Sequence, residues 1–324
     1  MALRAGVGPR RTVSALAIGL AASAVLTLFT APVGTRLPDP DTAGVATTAR
    51  ALPGAPAPVR PAVSPGPSSI GPGVVTETAG AGLCTAGFVL TAGDRTFLAQ
   101  AAHCGGTGDE TETDGCTSAT VPLGTPVTVH GTDRTVAGTL AWSSWNTMQA
   151  RGETDPDTCA YNDLALVELP ADAAPSVGAA VPFFGGPAAV RGTPLPAGTP
   201  VFGLANPPDV DGVRTVAARA GAVAGDVGGG WGHAVYTMTP GVAGESGSPL
   251  LDAEGRAVGI LSSLSTTADR PSIEYSDLGR ALDYAARTDG PAGLTPAAGP
   301  AFTPAPTGVD PRSLATPAGP GVTG

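Results

Sequence analysis

Between about Val74 and Ala286 the chain is a succession of short apolar or alternating runs, each stopped by Gly, Pro or Asp. Gly87-Phe88-Val89-Leu90, Thr96-Phe97-Leu98-Ala99, Val127-Thr128-Val129, Leu164-Ala165-Leu166-Val167 and Ala257-Val258-Gly259-Ile260-Leu261 are the clearest. Closely spaced short strands with turn signals predict an all-β sandwich or barrel, and neither an internal repeat nor a long amphipathic helix competes with that. Ala171 to Gly198 is rich in Pro, Gly and Ala without alternation, apart from Val181-Pro182-Phe183-Phe184, and is read as the boundary between two β units. One helix is expected at the end of the second unit. Leu278, Leu282 and Ala285 fall on one face there, with Ser276 as the candidate cap.

The 47 Gly and 34 Pro crowd toward the two ends of the 324 residues, so the foldable part is shorter than the chain. Arg4, Arg10 and Arg11 precede an uncharged, mostly apolar run from Val13 to Phe29, the layout of a signal peptide over residues 1–31. An uncleaved signal anchor is the competing reading of that run, and only it would bring a membrane into play. Residues 32–73 and 290–324, rich in Pro, Ala, Gly and Thr, have too little aliphatic content to offset chain entropy. They are expected to be a disordered linker or short pro-segment and a disordered tail, leaving 74–289 as the folded domain.

The formal charge is −10 and the chain has no lysine, all 17 basic residues being Arg. An acidic surface argues against nucleic acid as a partner, since phosphate binding needs a basic face. Four cysteines in an exported chain favour two disulfides, with three pairings possible. Cys84 with Cys104 is favoured because it closes a hairpin-sized loop beside His103, which leaves Cys116 with Cys159. No Cys-x-x-Cys pair supports a metal site, and neither metal nor cofactor is expected.

Three motifs remain: Ala101-Ala102-His103-Cys104, Asn162-Asp163-Leu164-Ala165-Leu166 and Gly244-Glu245-Ser246-Gly247-Ser248-Pro249. A serine hydroxyl is a poor nucleophile at neutral pH and needs an imidazole to take its proton and a carboxylate to orient that imidazole. The order His, Asp, Ser excludes the Ser-first arrangement of α/β-hydrolases and the Asp-first arrangement of subtilisins. Absence of lysine removes a Ser-Lys dyad, so histidine must be the base. His130, in an apparent strand, and His233, in a Gly-rich turn, are read as structural. Asp133 and Asp157 are the substitutes for Asp163, but neither precedes an apolar strand that would bury it.

With Cys84-Thr85-Ala86-Gly87-Phe88 and Gly259-Ile260-Leu261-Ser262 added, the chain resembles the trypsin/chymotrypsin-like serine peptidases, and more narrowly their bacterial secreted, streptogrisin-type branch. The resemblance implies two perpendicular six-stranded β-barrels, about 74–175 and 195–275, followed by a short helix at about 276–287. His103 and Asp163 would come from the first barrel and Ser246 from the second, with the N–H groups of Gly244 and Ser246 as oxyanion hole and Ser262 beside the aspartate. The implied activity is that of an exported, monomeric endopeptidase acting on protein or peptide substrates. A catalytically inactive binding protein of the cell envelope is the alternative.

The sequence departs from that family in places. Glu245 stands where a shorter Asp is usual, and Arg134, Arg191 and Arg219 are its candidate partners. Pro240, six residues before Ser246, replaces the aspartate of members that cleave after Arg or Lys, so no charge is available to neutralise a buried cation. Ser262-Ser263-Leu264 falls where wide-pocket members carry Ser-Trp-Gly, and Leu264 is expected to leave room only for a small or medium uncharged side chain. Ser248 suggests glutamyl specificity instead, but Leu261 occupies the position of the histidine that such members use.

Overall fold

The computed structural model describes residues 64, 66, 68–109, 112–192, 194–205, 216–237, 239–265 and 272–304. The sequence-predicted signal segment lies outside them. No helix among the described residues is long and apolar enough to cross a membrane.

The first lobe contains β1 (Val75–Thr78), β2 (Leu83–Thr85), β3 (Val89–Ala92), β4 (Arg95–Gln100), β5 (Pro126–His130), β6 (Thr135–Ser143), α1 (Ser144–Arg151), α2 (Pro156–Tyr161) and β7 (Ala165–Leu169). The second contains β8 (Pro200–Ala205), β9 (Ala217–Val227), β10 (Gly232–Thr237), β11 (Pro249–Asp252), β12 (Ala257–Ser265) and β13 (Ser272–Asp277). Helix α3 (Leu278–Arg287) and strand β14 (Thr295–Pro296) follow.

Strands β8 to β13 form a closed six-stranded barrel in the order β10-β13-β12-β11-β8-β9, around Val201, Val223, Val235, Leu250, Leu261 and Tyr275. The first lobe departs from the expected six strands. It is an eight-stranded sheet in the order β14-β3-β4-β7-β6-β5-β1-β2, with all neighbouring pairs antiparallel. The segment between β2 and β3 helps the sheet curl, since Ala86 N–H donates to Val74 O and Gly87 N–H to Ala99 O, each 2.8 Å. The architecture is the chymotrypsin-like fold of two β lobes with a cleft between them.

Two helices in the first lobe escaped the sequence reading because both are short. Asp155 caps α2 by accepting the Thr158 N–H at 2.8 Å, with Pro156 at the first helical position. Helix α1 stops at Gly152, which takes a left-handed conformation. Helix α3 forms where expected, but its cap is Asp277, whose carboxylate accepts the Arg280 N–H, and not Ser276.

The fold extends beyond both expected ends. Ile70 is fully buried and bridges to Val177, and Ser64 bridges to Gly178, so the fold includes the end of the supposed linker. The tail, expected to be disordered from residue 290, adds β14 to β3 and then crosses to the second lobe. There the Phe302 ring meets Phe202 of β8 edge-on and stacks on Phe184 of the inter-lobe connection. One aromatic and a few backbone hydrogen bonds hold this stretch, too sparse a signal to stand out in a Pro- and Gly-rich sequence.

Candidate active site

His103 sits in the 3-10 turn Ala102–Gly105 that follows β4. The turn is tied on one side by the Cys84–Cys104 disulfide and on the other by Asp163, whose carbonyl accepts the Ala102 N–H. The second disulfide joins Cys116 to Cys159, so both sequence pairings hold. Two groups with metal-ligand spacing, Cys84/His103/Cys104 and Asp114/Cys116/Cys159, consist mainly of these bridged sulfurs, which offer no thiolate.

Asp163, only 3% exposed, directs one carboxylate oxygen, Oδ1, to the His103 backbone N–H at 2.9 Å. Its other oxygen, Oδ2, faces the His103 ring Nδ1 at 2.7 Å and accepts the Ser262 hydroxyl at 2.6 Å. Three further contacts hold the residue. Ser144, at the start of α1, donates to the Asn162 carbonyl at 2.7 Å and accepts the Leu164 N–H at 3.1 Å. Ser276 on β13 accepts the Asp163 N–H at 3.3 Å from the other lobe. Neither Ser144 nor Ser276 carries a sequence motif, since their role comes from long-range packing.

Burial disfavours a charged His103 ring, but the attraction of the Asp163 carboxylate and its hydrogen bond outweigh this. The net effect raises the ring above the usual histidine value. The side chain is 28% exposed on its cleft side.

Ser246 occupies a tight turn between Gly244 and Gly247, whose φ angles of 89° and 91° suit glycine. Gly247 N–H donates to Leu261 O at 2.7 Å, and Ser248 N–H to Glu245 O at 2.9 Å. Glu245 N–H is also used, at 3.3 Å to Val242 O, whereas the N–H groups of Gly244 and Ser246 find no acceptor among the described residues. The first lobe approaches this turn so closely that a Cβ on Gly87 would lie 2.5 Å from Gly247 O and 2.8 Å from Ile260 Cγ2.

Glu245 is buried and paired with one of its three candidate arginines. Its carboxylate receives Arg219 Nη2 at 2.7 Å and the Val242 N–H at 3.2 Å, with the two side chains 2% and 1% exposed. Arg134 and Arg191, the other candidates, bind Ser176 and Asp252.

His103, Asp163, Gly244, Ser246, Ser262, Ser263 and Leu264 line one cleft of about 710 Å³. Ser246 makes no hydrogen bond to the His103 ring among the described residues. Pro240, expected at the substrate pocket, is not on the cleft wall; its carbonyl accepts a bond from Arg219. Leu264 lines the cleft and packs with Ile273 on Gly241, where a Cβ would collide with Leu264 Cδ2 and lie 3.2 Å from Ile273 Cγ1. Ser248 is fully buried and does not line the cleft. Sequence reading missed Leu83, Trp145 and Val242, which also line the cleft.

The substitutes fall away from the cleft. His130 pairs with Glu77 at 3.0 Å, and Asp133 and Asp157 are exposed. His233 lies in β10, not in a turn, and is buried between Asp226 and Asp277, each 2.8 Å away.

No family model and no curated protein matches the chain. Among solved structures it is similar to bacterial chymotrypsin-like serine proteases. Protease A of Thermobifida fusca is 17% identical over 71% of this chain and 99% of its own, with a TM-score of 0.41. Nocardiopsis protease is 16% identical over 70% and 98%, with a TM-score of 0.40. Cellulomonas bogoriensis chymotrypsin is 16% identical over 70% and 98%, with a TM-score of 0.39.

Proposed function

We propose that this protein is a serine endopeptidase that cleaves peptide bonds through an acyl-enzyme. The observation that carries the reading is the buried Asp163 carboxylate, which holds both the His103 ring and the Ser262 hydroxyl while His103 and Ser246 face one cleft. In this reading Ser246 Oγ attacks the substrate carbonyl as His103 takes its proton, then returns it to the leaving amine. Asp163 keeps Nδ1 protonated and stabilises the imidazolium. The free N–H groups of Gly244 and Ser246 receive the oxyanion, each worth about 3 kcal/mol in comparable sites. Water then repeats the sequence on the acyl-enzyme.

Leu264 on the cleft wall, with no charged residue at Pro240, favours a small or medium uncharged side chain before the scissile bond. Two disulfides fit an oxidising compartment, and an exported, monomeric enzyme is part of the proposal. The pairing of the longer Glu245 side chain with Arg219 supports the active enzyme over the inactive envelope protein.

Labelling with a fluorophosphonate, with the modified residue mapped, tests the reading. Ser246 should be labelled, and Ser246→Ala should lose both labelling and peptide hydrolysis while unfolding at nearly the same temperature. Hydrolysis by the Ala variant would overturn the assignment. A peptide library should show cleavage after small uncharged residues; preference for Arg, Lys or Glu would refute the pocket reading alone.

A further inference from the structure

Thr85 of the opposite lobe makes two hydrogen bonds to the oxyanion turn. Thr85, at the end of β2, is fully buried. Its hydroxyl donates to the Gly244 carbonyl at 2.8 Å, and its backbone N–H donates to the Ser246 carbonyl, also at 2.8 Å. The Thr85 carbonyl in turn packs so tightly on Gly247 that a Cβ there would collide with it. Thr85 therefore contacts three of the four residues Gly244 to Gly247. Two of them are the residues whose N–H groups find no acceptor among the described residues.

Gly244 is the weak point of such a turn. With no Cβ and a φ of 89°, its flanking peptides can rotate at little steric cost, and rotation would aim its N–H away from the substrate. A hydrogen bond to the Gly244 carbonyl resists that rotation. Thr85 is also next to Cys84, whose disulfide to Cys104 anchors the residue following His103. One covalent ring thus carries both the proposed base and the brace on the oxyanion turn.

From this we propose that Thr85 is a positioning residue for the oxyanion hole, acting through its side-chain hydroxyl on the Gly244 carbonyl. The proposal rests on the serine-peptidase reading above. It predicts that removing the hydroxyl lowers the rate of acylation without weakening ground-state binding, because the donors are needed most when the oxyanion forms.

The test compares wild type, Thr85→Val, Thr85→Ala and Thr85→Ser in steady-state hydrolysis of a peptide amide. It also follows inhibition by a peptide boronate, which mimics the tetrahedral adduct, and by the product peptide. Thr85→Val should lower kcat about tenfold, less than the ~10²–10³ lost when a donor itself is removed. KM and product inhibition should stay within about twofold, and boronate affinity should fall in parallel with kcat. Thr85→Ser should recover most of the loss. If the Val variant does not fold, the Ala variant carries the same expectation. Wild-type kcat in Val or Ala, a loss confined to KM, or failure of Ser to recover would overturn the role of Thr85 and leave the peptidase reading standing. A wild-type chain with no labelling at Ser246 would overturn both.

Discussion

Asp163 has more asked of it than any other residue of the cleft, since one carboxylate faces an imidazole, a backbone N–H and a hydroxyl at once. Its charge is what lifts His103 above the ordinary histidine value against the opposing effect of burial. The proposed mechanism needs the neutral ring, so kcat/KM should rise with pH through that raised value. Asp163→Asn should move the acidic limb to lower pH and reduce kcat by ~10⁴, the loss this change causes in triad enzymes. A pH-rate profile of both forms checks the two effects together. An unshifted limb would mean that Asp163 does not control His103.

At the scale of elements, the second barrel contains an ion cluster the mechanism does not use. His233 on β10 lies between Asp226 on β9 and Asp277, the cap of α3, and its side chain is only 2% exposed. Burial opposes its charge, but bonds and attraction from Asp277 and then Asp226 prevail, so its value is raised. A raised folded value means that the stabilisation is fully present below the unfolded value of about 6.5 and disappears as pH rises through the folded one. His233→Gln should therefore cost ~2 kcal/mol near pH 6, as for hydrogen bonds to charged groups. The loss should shrink as pH rises through the raised folded value of His233. Thermal unfolding across that range measures it, and a pH-independent loss would show that packing alone is involved.

Over the whole molecule, the lobes are tied together away from the cleft as well as in it. Asp289, just beyond α3, accepts bonds from Trp142 and Thr147 of the first lobe at 3.2 and 2.9 Å. The tail then pairs with β3 and packs Phe302 against the Phe184 and Phe202 rings, which also touch each other. Since the proposed base and nucleophile lie on different lobes, these ties set their separation. Phe302→Ala should destabilise the fold by ~2 kcal/mol, the scale of burying one large apolar side chain. Denaturant unfolding gives the number, and an unchanged midpoint would show that the tail is dispensable.

The sequence was enough to place His103, Asp163 and Ser246 in order, because the chemistry of an activated serine restricts residue types and glycine flanks at short range. The β class and α3 were legible from periodicity and the Cys84–Cys104 bridge from its short loop, while Cys116 with Cys159 followed by elimination. Tertiary structure decided the rest. Arg219 could be separated from Arg134 and Arg191 only by the distance across the second barrel to Glu245, and Ser144, Ser276 and Thr85 act through partners remote in the chain. Pro240 was counted into the pocket along the chain, but Leu264 and Ile273 fill the space above Gly241 from strands β12 and β13. The tail looked disordered by composition because its few apolar groups have value only against a surface made by both lobes. Local pattern encodes which groups can do chemistry; which groups hold them in place depends on contacts that sequence spacing does not carry.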